Sequence, residues 1–128
     1  MQGYHINIGE ETKNNTFFRK VLYTGTHCQL VVMSLKPGEE IGLETHPNVD
    51  QFFRIEAGEA KFIINGEETL TQAEDVVIVP AGSEHNVINT STTKDLKVYT
   101  LYSPPNHPDG TINKTKEDAI AYEQSIHQ

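Results

Sequence analysis

Two short stretches carry the residues best suited to chemistry. In Glu44-Thr45-His46 a carboxylate and an imidazole stand two apart. On an extended strand both side chains leave the same face and can reach one ion. In Pro80-Ala81-Gly82-Ser83-Glu84-His85 a Pro-x-Gly turn delivers a second histidine to the start of a strand. There a packed neighbour can fix the direction of the ring.

Strands must hold these groups. Apolar or β-branched runs of a few residues alternate with Gly, Pro and Asn signals, the pattern of a small antiparallel β domain. The runs predict strands over Phe17 to Thr24, Gln29 to Leu35, Gln51 to Glu56, Ala60 to Ile64, Glu67 to Leu70, Val76 to Val79, His85 to Asn89 and Leu96 to Leu101. Asn65-Gly66 supplies the two positive φ angles of a type I′ hairpin. Val76-Val77-Ile78-Val79 is apolar without alternation, which predicts a strand covered on both faces. After Tyr102, three prolines and an Asp-Gly pair end the ladder and start an arm. Thr115 then stands where its hydroxyl can cap a short helix. The reading is one all-β domain over residues 1–128, a sandwich or barrel with its core at about 17–102 and an arm and helix at about 103–128.

The chain has 128 residues, enough for one core without disulfides, and a single cysteine, which can form no intrachain bridge. Eighteen acids stand against ten scattered bases, for a net charge of −8. The electrostatic footprint of a nucleic-acid binder is missing. No apolar run approaches the roughly 20 residues of a membrane span, and no secretory pattern follows Met1. The expectation is a cytoplasmic protein with neither nucleic acid nor membrane among its partners.

The two stretches resemble the motifs of the cupin superfamily. Gly38, His46 and Gly58 fall on matching positions of the first motif, and Pro80, Gly82, His85 and Asn89 on those of the second. The resemblance covers about residues 30–101. It implies a double-stranded β-helix (jelly-roll) barrel and, for a small member of the family, a homodimer. It also implies a metal-binding set of Glu44, His46, Gln51 and His85. Three departures stand out. Glu44 replaces the first histidine, Gln51 replaces the glutamate, and Glu74 replaces the glycine that opens the second motif. The set therefore keeps one carboxylate at a shifted place. Glu44, His46 and His85 resemble the two-histidine, one-carboxylate face that leaves coordination positions open. One divalent ion, Zn, Fe, Mn, Ni or Co, would suit these donors.

Gln51 is either a fourth donor or a hydrogen-bond partner inside the barrel. Phe53 and Ile55 share its inward face as a pocket wall, while Phe52 and Arg54 point outward. His107, in the proline-rich segment, is either a solvated loop residue or a mobile acid or base at a barrel mouth. His5, His27 and His127 read as solvated. Phe52 with the Phe17-Phe18 pair suggests an outer apolar surface for dimerisation. The resulting reading is a metal-binding small cupin facing a small polar ligand, its catalytic residues unassigned. Sugar-phosphate isomerase-like and non-haem iron dioxygenase-like enzymes are the catalytic alternatives, the first lacking a visible phosphate anchor. A non-catalytic ligand-binding module is the third possibility.

Overall fold

Asn65 and Gly66 both adopt positive φ, 49° and 83°, and join two paired strands as a two-residue hairpin. The computed structural model describes residues 3–126. The elements run α1 (Ile8–Asn14), β1 (Arg19–Thr24), β2 (Gln29–Leu35), β3 (Glu44–Thr45), β4 (Asp50–Ala57) and β5 (Glu59–Ile64). They continue with β6 (Glu67–Gln72), β7 (Val76–Val79), β8 (Glu84–Asn89), β9 (Leu96–Ser103), β10 (Ile112–Asn113) and α2 (Lys116–Ile126). Six strands pair in the order β10-β1-β2-β9-β4-β7 and four in the order β3-β8-β5-β6, every pair antiparallel. This is the expected all-β double-stranded β-helix, with its short C-terminal helix in place.

Period-two alternation builds the core. On β9, Leu96, Val98, Thr100 and Tyr102 are buried while Lys97, Tyr99 and Leu101 are only half-buried. Val31, Met33, Leu35, Phe53, Ile55, Phe62 and Val87 join the inner residues of β9, each fully enclosed. Burying such a side chain contributes about 1.5–3 kcal/mol. Where β4 leaves one sheet for the other, Gly58 takes φ 93°, and a Cβ there would lie 2.7 Å from the Asp95 carbonyl oxygen. Only glycine fits that crossing.

Two expectations need correction, and one element was not foreseen. β7 is an edge strand paired only with β4, and it leaves Val76 and Ile78 46% and 60% exposed. Its apolar run reflects a lateral continuation of outward Phe52, to which Ile78 is paired, rather than cover on both faces. Phe18 belongs to the core, so the Phe17-Phe18 pair is no outer patch. Helix α1 was not legible as an element. Asn7 caps it, its side-chain oxygen accepting from the Glu10 amide at 3.1 Å, and the helix lies against β2, β4 and β9. No described helix is long and apolar enough to cross a membrane.

Candidate metal centre

The turn between β7 and β8 positions both histidines. Ser83 closes it by donating its amide to the Pro80 carbonyl at 3.1 Å, and the Gly82 amide donates to the His46 carbonyl at 2.9 Å. The segment before β3 lies along β8, with the Ile41 amide donating to the Val87 carbonyl and the Gly42 amide to Asn86 Oδ1. The ladder then sets Glu44 directly opposite His85. Two strands and one turn thus bring one ligand atom each from Glu44, His46 and His85 within 4.8 Å of one another.

The protonation of this cluster follows from its hydrogen bonds. His85 is 2% exposed and its Nδ1 lies 3.0 Å from the Ser83 carbonyl oxygen. A carbonyl only accepts, so Nδ1 carries a proton, and in the neutral ring Nε2 keeps its lone pair. That Nε2 is buried without a partner. His46 Nε2 donates to Glu44 Oε2 at 3.1 Å, so this nitrogen can bind an ion only by giving up that proton. Burial pushes the Glu44 pKa upward, but the His46 hydrogen bond and the Arg19 charge outweigh it and hold the carboxyl below its ordinary range. Glu44 is therefore an anion at neutral pH.

Gln51 points inward as expected and is 2% exposed. Its Nε2 donates to Thr100 Oγ1 at 3.0 Å, and its Oε1 is buried with no partner. The residue is thus a hydrogen-bond donor to the wall whose oxygen is left for something else. Phe53 and Ile55 are inward and fully buried in the hydrophobic core, Phe53 edge-on to Phe62 at 5.1 Å. Phe52 and Arg54 face outward as expected. His5 and His27 are exposed, and His127 lies outside the described residues.

A cavity of about 420 Å³ opens above the cluster, bordered by Arg19, Glu44, His46, His107, Tyr122 and Glu123 among others. His107 does reach this mouth, but it is held rather than mobile. The buried Gln29 side chain donates Nε2 to the His107 carbonyl at 2.7 Å, and its Oε1 accepts from the Asn106 and His107 amides at 3.1 and 2.9 Å. The His107 ring meets the Tyr102 hydroxyl at 3.1 Å, and Tyr102 packs edge-on against His46. Burial, seconded by the Arg19 charge, lowers the His107 pKa to about 4, so the ring is neutral. Burial raises the Tyr102 pKa, which keeps its proton on.

Sequence reasoning missed Arg19, Tyr122 and Glu123. Arg19 is only 2% exposed, in phase with inward Val21 on β1, and that alternation was the available signal. Tyr122 and Glu123 reach the mouth because α2 folds back over it, a long-range placement with no local signature.

The family model described as Cupin domain matches residues 31–102. The chain is a member of the cupin family. Among relatives, this cupin is 50% identical over 125 residues to the uncharacterized protein YrkC of Bacillus subtilis, covering 92% of the chain and 66% of that protein. The chain thus spans about two thirds of that relative's length. An uncharacterized protein of Acanthamoeba polyphaga mimivirus is 47% identical over 116 residues, covering 88% of the chain and 72% of its own length. The crystal structure of BH2720 from Bacillus halodurans superposes with a TM-score of 0.91 at 40% identity, covering 94% of this cupin and 95% of that chain.

Proposed function

We propose that this cupin holds one divalent metal ion at the barrel mouth through Glu44, His46 and His85, with Gln51 Oε1 as a neutral fourth donor, and presents it to a small polar ligand. The observation that carries the reading is the His85 ring. It is locked by Ser83 in the tautomer that aims an unpartnered, buried lone pair at the place where Glu44 and His46 converge. A buried acceptor with no partner costs about 1–3 kcal/mol, a cost that an ion removes. Two imidazoles and a carboxylate suit Zn, Fe, Mn, Ni or Co. An ion held there polarises the oxygen atoms of a bound ligand.

The chain's own groups do the rest. The His46 hydrogen bond and the Arg19 charge keep Glu44 ionised, Gln29 holds the wall of the mouth, and Tyr102 and His107 border the site as a protonated hydroxyl and a neutral imidazole. A second reading, in which the bound ligand is also turned over, would need its base elsewhere, because a ring whose pKa is lowered to about 4 holds a proton poorly at neutral pH.

Elemental analysis of protein purified without added metal tests the first reading. Stoichiometric metal is expected in the parent and none in a folded His46→Ala/His85→Ala double variant. Unchanged metal in that variant would sink it.

A further inference from the structure

Arg19 is unusual among the groups at the mouth because it is enclosed but poorly partnered. Its Nε has no hydrogen-bond partner. Its Nη1 reaches Asn113 Oδ1 at 3.4 Å and Glu123 Oε1 at 3.5 Å, and its Nη2 stands 4.0 Å from Glu44 Oε1. A guanidinium offers five donors, and a well-formed fork on a carboxylate runs at about 2.7–2.9 Å. A cation taken out of water is strongly destabilising unless paired. The loose contacts leave the Arg19 fork without such a pairing, although it borders the cavity.

We infer that Arg19 is the anion-recognition residue of this cavity, and that the ligand is a small hydroxy- or oxo-carboxylate whose carboxylate replaces that of Glu123 on the guanidinium. The inference rests on the metal-site reading for the ligand's second oxygen. Three observations support it. Glu123 is a readily displaced partner: its side chain is 46% exposed, and Ala119 is the one buried residue of α2 among those described. At 3.5 Å its contact with Arg19 is also longer than a well-formed charge-assisted bond, so another carboxylate can take its place. Next, Glu44 shares its charge with any ion the cluster holds, which leaves Arg19 beside a cation and in need of an anion. Finally, Arg19 Nη2 stands 4.0 Å from Glu44 Oε1, so one small molecule with two oxygen functions can reach the guanidinium and the cluster together. Asn106, His107 and Tyr122 add polar lining for such a molecule.

Calorimetric titration of the full chain, metal content measured on each sample, tests this with lactate and pyruvate as probes and lactamide as the neutral counterpart. Lactate or pyruvate should bind, lactamide about tenfold or more weakly, since a charge-assisted pair is lost. Arg19→Gln should lose about tenfold or more at unchanged metal content, with Arg19→Lys intermediate because it keeps the charge without the fork. Glu123→Gln, which keeps the shape of a half-exposed side chain while removing its charge, should bind the carboxylate more tightly, and it serves as the deciding variant if Arg19→Gln does not fold. No binding of either probe, equal affinity for lactamide, or indifference of folded variants would overturn the inference. Metal missing from the parent would instead overturn the metal reading, while Arg19-dependent carboxylate binding would still uphold this one.

Discussion

His85 and Asn89 lie four residues apart on β8, at opposite ends of the barrel, and are treated in opposite ways. Asn89 is saturated: its Nδ2 donates to the Leu35 and Lys94 carbonyls at 3.0 and 2.9 Å, and its Oδ1 accepts from the Ser91 amide at 3.0 Å. His85 makes one bond and leaves Nε2 open. Both ends have a hollow of similar size, about 420 Å³ at the mouth and about 450 Å³ by Gly58, Ser91 and Lys94. Among the described residues four buried side-chain polar atoms lack partners, and three of them belong to Arg19, Gln51 and His85 at the mouth. None lines the far hollow. Space alone therefore does not mark a site in this fold. At the far end polar groups are consumed in holding the chain, whereas at the mouth they are left over for something that is not protein.

The sharpest way to break this contrast is Asn89→Ala, which strands three backbone groups at once. It should lower stability by about 3 kcal/mol in denaturant unfolding without changing metal content. His85→Ala in metal-free protein, losing a single bond of the ring, should lower it by only about 1 kcal/mol. Equal losses would erase the distinction.

Acid separates the ends next. The folded His107 pKa is about 4 against an ordinary 6.5, so the unfolded chain takes up the proton first. Stability of the metal-free protein should thus be complete above pH 6.5 and be lost as pH falls towards 4, by up to about 1.4 kcal/mol per pH unit. His107→Gln should flatten that slope in denaturation measured across the window. The lowered Glu44 pKa works in the same direction, but only below the ordinary carboxylate range.

Within the mouth, charge should matter more than the amide. Glu44→Gln is expected to weaken metal binding about tenfold or more, Gln51→Ala less, and Gln51→Glu to strengthen it. Metal titration of the three decides, and the reverse order of the first two would show the ligand assignment to be wrong. The smallest effect lies beyond the mouth. Glu74 stands where the family's second motif has glycine and takes φ 77°. Glu74→Gly should therefore raise the unfolding free energy by up to about 1 kcal/mol and leave metal affinity unchanged.

The barrel was legible because hairpin chemistry and period-two alternation are local. Glu44 and His46 were legible as a pair for the same reason, since two residues on a strand share a face in any fold. The metal set beyond them needed the motif spacing, which stands in for the pairing of Glu44 with His85. What local pattern did not reveal is which side of a strand ends up covered. The apolar run of β7 looked internal, but a sheet edge can carry the same composition. Arg19 did not stand out as a site residue because its placement over the cluster depends on β10 and α2 arriving from the other end of the chain. The capping signal of Asn7 and Glu10 was present, yet seven residues without an apolar stripe do not announce a helix.

The grip of Gln29 on the 106–107 backbone has a consequence for how any guest enters. A wall fixed in advance means that the guest need not immobilise it on arrival, so conformational entropy is already lost before binding. Gln29 itself does not border the cavity, yet replacing its amide with an apolar side chain of similar size would release the backbone of Asn106 and His107, which do. The mouth would then change from a rigid receptor to one that must be ordered at each encounter, with faster release as the outcome.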